Sequence, residues 1–106
     1  MMLLTKANRA ALPPLYSQDG LGMDAVAHVK FFLGGWTWYA TEYDGEDTFF
    51  GWVESGNGRT FDELGYFSLS ELLKVRGQFG LGVERDRYFV PSKLSEVGRW
   101  DRTAVA

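Results

Sequence analysis

Between Ala25 and Phe67 the chain alternates aromatic and β-branched stretches with glycine-containing turns, and this punctuation constrains its fold more than any other feature. Residues 25–33 (AVAHVKFFL) are apolar at every odd position, with His28 and Lys30 among the even ones. A period of two predicts a half-buried strand. Gly34-Gly35 is a two-residue hairpin signal. Trp36–Tyr43 (WTWYATEY) predicts a second strand, since such side chains suit a pleated surface. Asp44-Gly45-Glu46-Asp47 predicts a turn, Thr48–Glu54 (TFFGWVE) a third strand, Gly56-Asn57-Gly58 a third turn and residues 60–67 a weaker fourth strand. Gly51, inside the third strand, marks a bulge or a close backbone approach.

Around this meander the pattern changes period. Thr5 caps a short helix over residues 6–12 that stops before Pro13-Pro14. Residues 16–23 (YSQDGLGM) read as loop. Ser68 stands three residues before Glu71, the spacing of a capping box, and Leu69, Leu72 and Leu73 form the apolar face of a helix that Gly77 ends. Residues 83–90 predict an edge strand or an extended loop, residues 92–97 one helical turn, and Trp100 a late anchor before a frayed end. The fold class expected is α+β: an antiparallel meander of three to five strands packed with two short helices, in one domain of 106 residues.

Composition excludes several function classes. The chain is 45% hydrophobic and 16% aromatic, which argues against disorder. With no cysteine and one histidine it has no thiolate chemistry and no multi-histidine metal site within one chain. A net charge of −3 is too acidic for a default nucleic-acid binder. The charge is unevenly spread: residues 42–63 carry seven acids against Arg59, whereas residues 74–102 carry seven bases against four acids. The four apolar residues at the amino terminus are too few for an export signal, and no run approaches the ~20 of a membrane span. A cytoplasmic protein without membrane, metal or cofactor is expected.

Four constellations are candidates for chemistry. Glu42, Asp44, Glu46 and Asp47 surround Gly45 without the spacing of a calcium loop. They form either a solvated turn or an acidic patch for a basic protein surface. His28 falls near residues 41 and 42 if the first hairpin closes at Gly34-Gly35, so Glu42 is placed to orient it for general acid–base work. Trp36 and Trp38 alternate onto one face of the second strand, and Tyr39 and Tyr43 onto the other. With Trp52 on the third strand, these aromatics fill a core on both faces or leave one face as a docking surface. Arg76, Arg85 and Arg87 with Tyr88 suit phosphate or carboxylate capture, or a solvated strand of paired charges. No phosphate loop, serine elbow or zinc motif occurs.

The runs LLTKANRAALPPLYSQDG, AVAHVKFF, WTWYATEYDGEDTFFGWVE, ELGYFSLSELLKVRGQFGLGVERDRYF and PSKLSEV resemble, in order, the bacterial domain of unknown function 2958. The resemblance spans residues 3–97, and WYATEYDGEDTFFG and ELGYFSLSEL are its most specific parts. It implies cargo of plasmids, integrative elements and phages, and it brings no catalytic residues to carry over. Residues 55–60 lengthen a hairpin relative to the family pattern.

Taken together, these features lead to the expectation of a small non-enzymatic interaction protein. It would bind a host or element-encoded protein complex through Glu42, Tyr43, Asp44, Glu46, Asp47, Trp36, Trp38 and Trp52. An anti-defence inhibitor of a nuclease or CRISPR complex is the sharpest form. The alternatives are a nucleic-acid accessory using Arg76, Arg85, Arg87 and Tyr88, and a small enzyme using His28 and Glu42.

Overall fold

The computed structural model describes residues 2–55 and 62–97. Thr5 opens helix α1 (Lys6–Ala11): its side chain accepts the Asn8 N–H, and the Asn8 side chain accepts the Thr5 N–H in return. Seven strands follow among the described residues: β1 (Val26–Ala27), β2 (Val29–Leu33), β3 (Trp36–Tyr43), β4 (Thr48–Glu54), β5 (Glu63–Ser68), β6 (Glu84–Arg85) and β7 (Ser92–Lys93). Helix α2 (Leu69–Lys74) continues directly from β5, and α3 (Leu94–Val97) from β7. Ser68 caps α2 by accepting the Glu71 N–H, but the Glu71 carboxylate accepts the Ser68 hydroxyl, so of the expected capping box the structure shows the serine half. The helix closes at Val75, two residues before Gly77.

The principal sheet is antiparallel with order β5-β4-β3-β2-β6, and β1 pairs with β7 in a separate two-stranded sheet. The α+β class and the meander are therefore as expected, with three short helices among the described residues rather than two. Leu33 pairs with Trp36 across Gly34-Gly35, so the first hairpin closes where the glycines predict. The strand expected over residues 25–33 is broken. His28 donates its N–H to the Ala40 carbonyl at 2.9 Å, and beyond it β1 leaves the sheet to join β7. Only Glu84–Arg85 of the stretch 83–90 pairs with β2. The turn at Gly56-Asn57-Gly58, the start of the fourth strand at Thr60, the hairpin lengthening at 55–60 (apart from Ser55), Trp100 and the chain end lie outside the described residues.

Both faces of the sheet carry core. On the first, Phe31, Trp38, Ala40, Tyr43, Phe49 and Phe67 pack under α2 and the amino-terminal leucines Leu3, Leu4 and Leu12. The Phe49 ring lies 4.6 Å from Tyr43, 5.2 Å from Phe67 and 5.6 Å from Phe31, within the range of favourable aromatic pairs. On the second face Tyr39 packs with Ala25, Ala27 and Leu94, flanked by Trp52, Leu64 and Phe89.

A bulge divides β3. Ala40 opposes Gly51 but Glu42 opposes Phe50, so Thr41 is the extra residue, its hydroxyl bonded to the Phe50 carbonyl. This corrects the strict alternation expected from sequence. Past the bulge the faces exchange, so Tyr43 shares the face of Trp38, not that of Tyr39.

Gly51 sits beside the bulge and meets both expectations attached to it. A Cβ there would overlap the Tyr39 carbonyl oxygen and stand 3.1 Å from the Ala40 Cα. Backbone cannot yield as a flexible side chain can. Gly51→Ala should therefore destabilise the protein by about 3 kcal/mol or more, measured by urea unfolding. A loss below about 1 kcal/mol would show that β3 and β4 can separate at this point.

Candidate functional site

A cleft of about 350 Å³ lies on the second face, between the loop after α1 and strands β4 and β5. Its floor is Glu42, only 4% exposed. One carboxylate oxygen accepts the Tyr16 N–H at 2.8 Å, and the other accepts the Gln18 N–H at 2.7 Å. These two bonds fold the loop over the bulge. Gln18 completes the attachment: its amide donates to the Val26 and Thr41 carbonyls and accepts the Val26 N–H.

The walls are aromatic. Tyr16 is held at φ 73°, a left-handed conformation rare for a bulky residue, and is 65% exposed. Tyr66 is 58% exposed on edge strand β5, its ring packed edge-on against Phe50 at 5.0 Å. The neighbouring Tyr16 phenol holds the Tyr66 pKa above the ordinary tyrosine value. Partial desolvation and the negative charges of Asp19 and Glu42 push it the same way. Among the described residues, the ionisable ones lining the cleft are thus acids and tyrosines, with no lysine, arginine or histidine.

The expected constellations are distributed differently. Glu42 does not orient His28, because the loop N–H groups occupy its carboxylate and no hydrogen bond or ion pair joins the two side chains. His28 instead lines a separate hollow of about 180 Å³ with Asn8, Arg85 and Asp86. Burial lowers the His28 pKa below 6.5. In the acidic turn Asp44 accepts the N–H groups of Glu46, Asp47 and Thr48 on one oxygen. Those bonds lower its pKa. Asp47 accepts the Ser70 N–H and hydroxyl, tying the turn to the first turn of α2. Glu46 is exposed, and its carbonyl accepts the Tyr43 hydroxyl. Three of the four acids therefore hold backbone, Asp44 and Asp47 at the turn and Glu42 on the second face.

Of the aromatic candidates, Trp38 and Tyr43 are buried in the first-face core, which removes them from any docking surface. Trp36 stacks on Trp38 at the rim and is 42% exposed, and Trp52 is partly buried beside Tyr39. Among the basic candidates, Arg76 donates to the Leu73 and Val75 carbonyls at the end of α2. Arg85 donates to the Met2 and Leu3 carbonyls, anchoring the amino-terminal segment. Arg87 and Tyr88 are exposed together at a turn after β6. No group of three or more metal-ligating side chains occurs among the described residues.

The sequence does not single out Tyr16, Asp19 or Leu64, while Phe50 and Tyr66 belong to the strand aromatics that fill a core or leave a docking face. The available signal was Tyr16 itself, a bulky aromatic at the head of a run of turn-forming residues.

The fold and cleft define an antiparallel α+β protein with an aromatic and acidic hollow on one sheet face. The chain belongs to the family described as protein of unknown function (DUF2958), whose model matches residues 3–105. No curated protein and no solved structure matches it. No helix among the described residues is long and apolar enough to cross a membrane.

Two predictions follow from this geometry. Glu42→Ala leaves the Tyr16 and Gln18 N–H groups without their acceptor and should cost about 3 kcal/mol in urea unfolding. It should also release the 16–24 loop to hydrogen exchange, and unchanged protection there would refute this anchoring role. Acid titration of stability should show two contributions. The folded His28 binds its proton less readily than the unfolded chain, so stability falls as pH drops below 6.5 toward its folded value. The stability held by Asp44 is present above 3.8 and is lost as pH falls through its lower folded value. Melting temperatures between pH 8 and 2 should lose the upper step in His28→Gln and flatten at the lower step in Asp44→Asn.

Proposed function

We propose that this protein is a non-enzymatic interaction protein that docks on a host or element-encoded protein complex through the Tyr16–Tyr66 cleft. The observation that carries this reading is the pair of exposed tyrosines held in place at the mouth of a hollow. Tyr16 stands in a strained backbone conformation that a buried carboxylate maintains. Strain of this kind persists only where surrounding structure imposes it, and it clusters at functional sites. Tyrosines combine contact area with few rotatable bonds, which suits them to anchor an interface.

The binding surface thus moves from the acidic turn to the second face. The turn's aspartates are engaged with backbone, whereas the cleft's aromatic rings face solvent. The resemblance to mobile-element cargo makes an anti-defence inhibitor, aimed at a nuclease or CRISPR complex, the sharpest form of the proposal. The separation of His28 from Glu42 leaves the acid–base pair unformed and favours binding over catalysis.

The test is affinity capture from a host lysate after nuclease treatment, comparing the native chain with a Tyr16→Ala/Tyr66→Ala variant and identifying bound proteins by mass spectrometry. A stoichiometric protein complex retained by the native chain and lost by the variant is the expected result. Equal capture by both proteins would remove the cleft as the docking site, and nuclease-sensitive capture alone would move the assignment to nucleic acid.

A further inference from the structure

We infer that the cleft is a receptor for a cationic side chain, the guanidinium or ammonium group of an arginine or lysine presented by a partner protein. The inference rests on the docking site proposed above and names what enters it.

Charge complementarity is the first ground. Glu42 lies almost fully buried at the cleft floor, and its only described polar partners are neutral N–H groups. A buried carboxylate satisfied in hydrogen bonds but without a counter-charge gains from a cation placed beside it. Among the described residues each of its oxygens accepts one bond, which leaves a lone pair for a donor from the cleft. Asp19, exposed at the rim, adds a second negative charge to the same hollow.

The aromatic walls are the second ground, independent of the acids. Tyr16, Tyr66 and Phe50 surround a volume of about 350 Å³, at the small end of ligand-binding hollows. Aromatic faces attract cations, and an arginine plane stacks on them while its donors fork to a carboxylate. The same chain already makes such contacts elsewhere: Arg9 lies 5.7 Å from the Tyr43 ring centre and Lys30 5.8 Å from that of Tyr39. Among the described residues, none that lines the cleft supplies the cation.

The experiment uses the full chain and a fluorescein-labelled nine-residue glycine–arginine peptide, with the matching citrulline peptide as a neutral isostere. Fluorescence anisotropy should show saturable binding of the arginine peptide, roughly tenfold weaker binding of the citrulline peptide, and weakening with salt. Asp19→Asn and Tyr66→Ala alter exposed side chains, and thermal melts check that both variants fold. Each should weaken the arginine peptide several-fold and leave the citrulline peptide unchanged.

Equal binding of the two peptides would overturn the cationic assignment, and cleft-dependent capture of a partner would then leave the docking site standing. Arginine binding untouched by both variants would place the cation elsewhere and overturn the assignment at this cleft. Direct binding of labelled single-stranded DNA by the native chain, lost in Tyr66→Ala, would assign the cleft to nucleic acid and overturn it as well.

Discussion

The second face of the sheet depends on the extra residue at Thr41. Under strict alternation along β3, Glu42 would turn toward the helices and press a carboxylate among Phe49, Phe67 and Leu72. Tyr43 would turn the other way, out of the stack it completes. The bulge avoids both outcomes in one step. It delivers Tyr43 to the aromatic core, where its hydroxyl still reaches Arg9 and the Glu46 carbonyl. It delivers Glu42 to the opposite face, where two loop N–H groups wait for an acceptor. The close approach at Gly51 supports the slip, since any Cβ there would force β4 away from β3.

Irregular backbone needs partners for the groups it frees, and the loop after α1 supplies them. The Thr41 carbonyl accepts the Gln18 amide at 2.9 Å. The same amide group holds Val26 through both its N–H and its carbonyl, at the point where β1 departs from the sheet. The bulge and the break at His28 are therefore linked through one side chain. The cleft follows from this arrangement: a loop fastened at Glu42 and Gln18 stands off from β5 and leaves a hollow between them.

Strands β3 and β4, the first hairpin and the two capped helices were legible because their causes are local. Alternation, glycine turns and a serine three residues before a glutamate act within one element. The site was not legible, because its causes are not local. Nothing in WTWYATEY reports that Thr41 is extra, since the slip is decided by how Gly51 fits on the neighbouring strand. The partners of Glu42 lie 24 and 26 residues away and are backbone groups, which any residue type carries. Arg76 and Arg85 likewise end on carbonyls, and carbonyls leave no trace in residue identity. Side chains that bond to backbone are thus the ones whose sequence reading fails here. Asp44 and Asp47 read as a charged surface while in fact closing a turn and starting a helix.

Exposure alone does not single out the cleft. Phe79 is more exposed than either tyrosine, at 95%, and it too has a left-handed backbone, φ 60°. It stands on a short turn beside Gly80, and among the described residues no aromatic ring packs against its side chain. Tyr16 differs in what surrounds it. Its N–H is fastened by a buried carboxylate, its phenol meets a second tyrosine, and its ring borders a hollow with a charged floor. A preorganised group loses little freedom when a partner arrives, whereas a projecting ring must be ordered at the moment of binding. The bulge, the glutamate and the glutamine together perform that ordering in advance, and this distinguishes the cleft from an exposed aromatic knob.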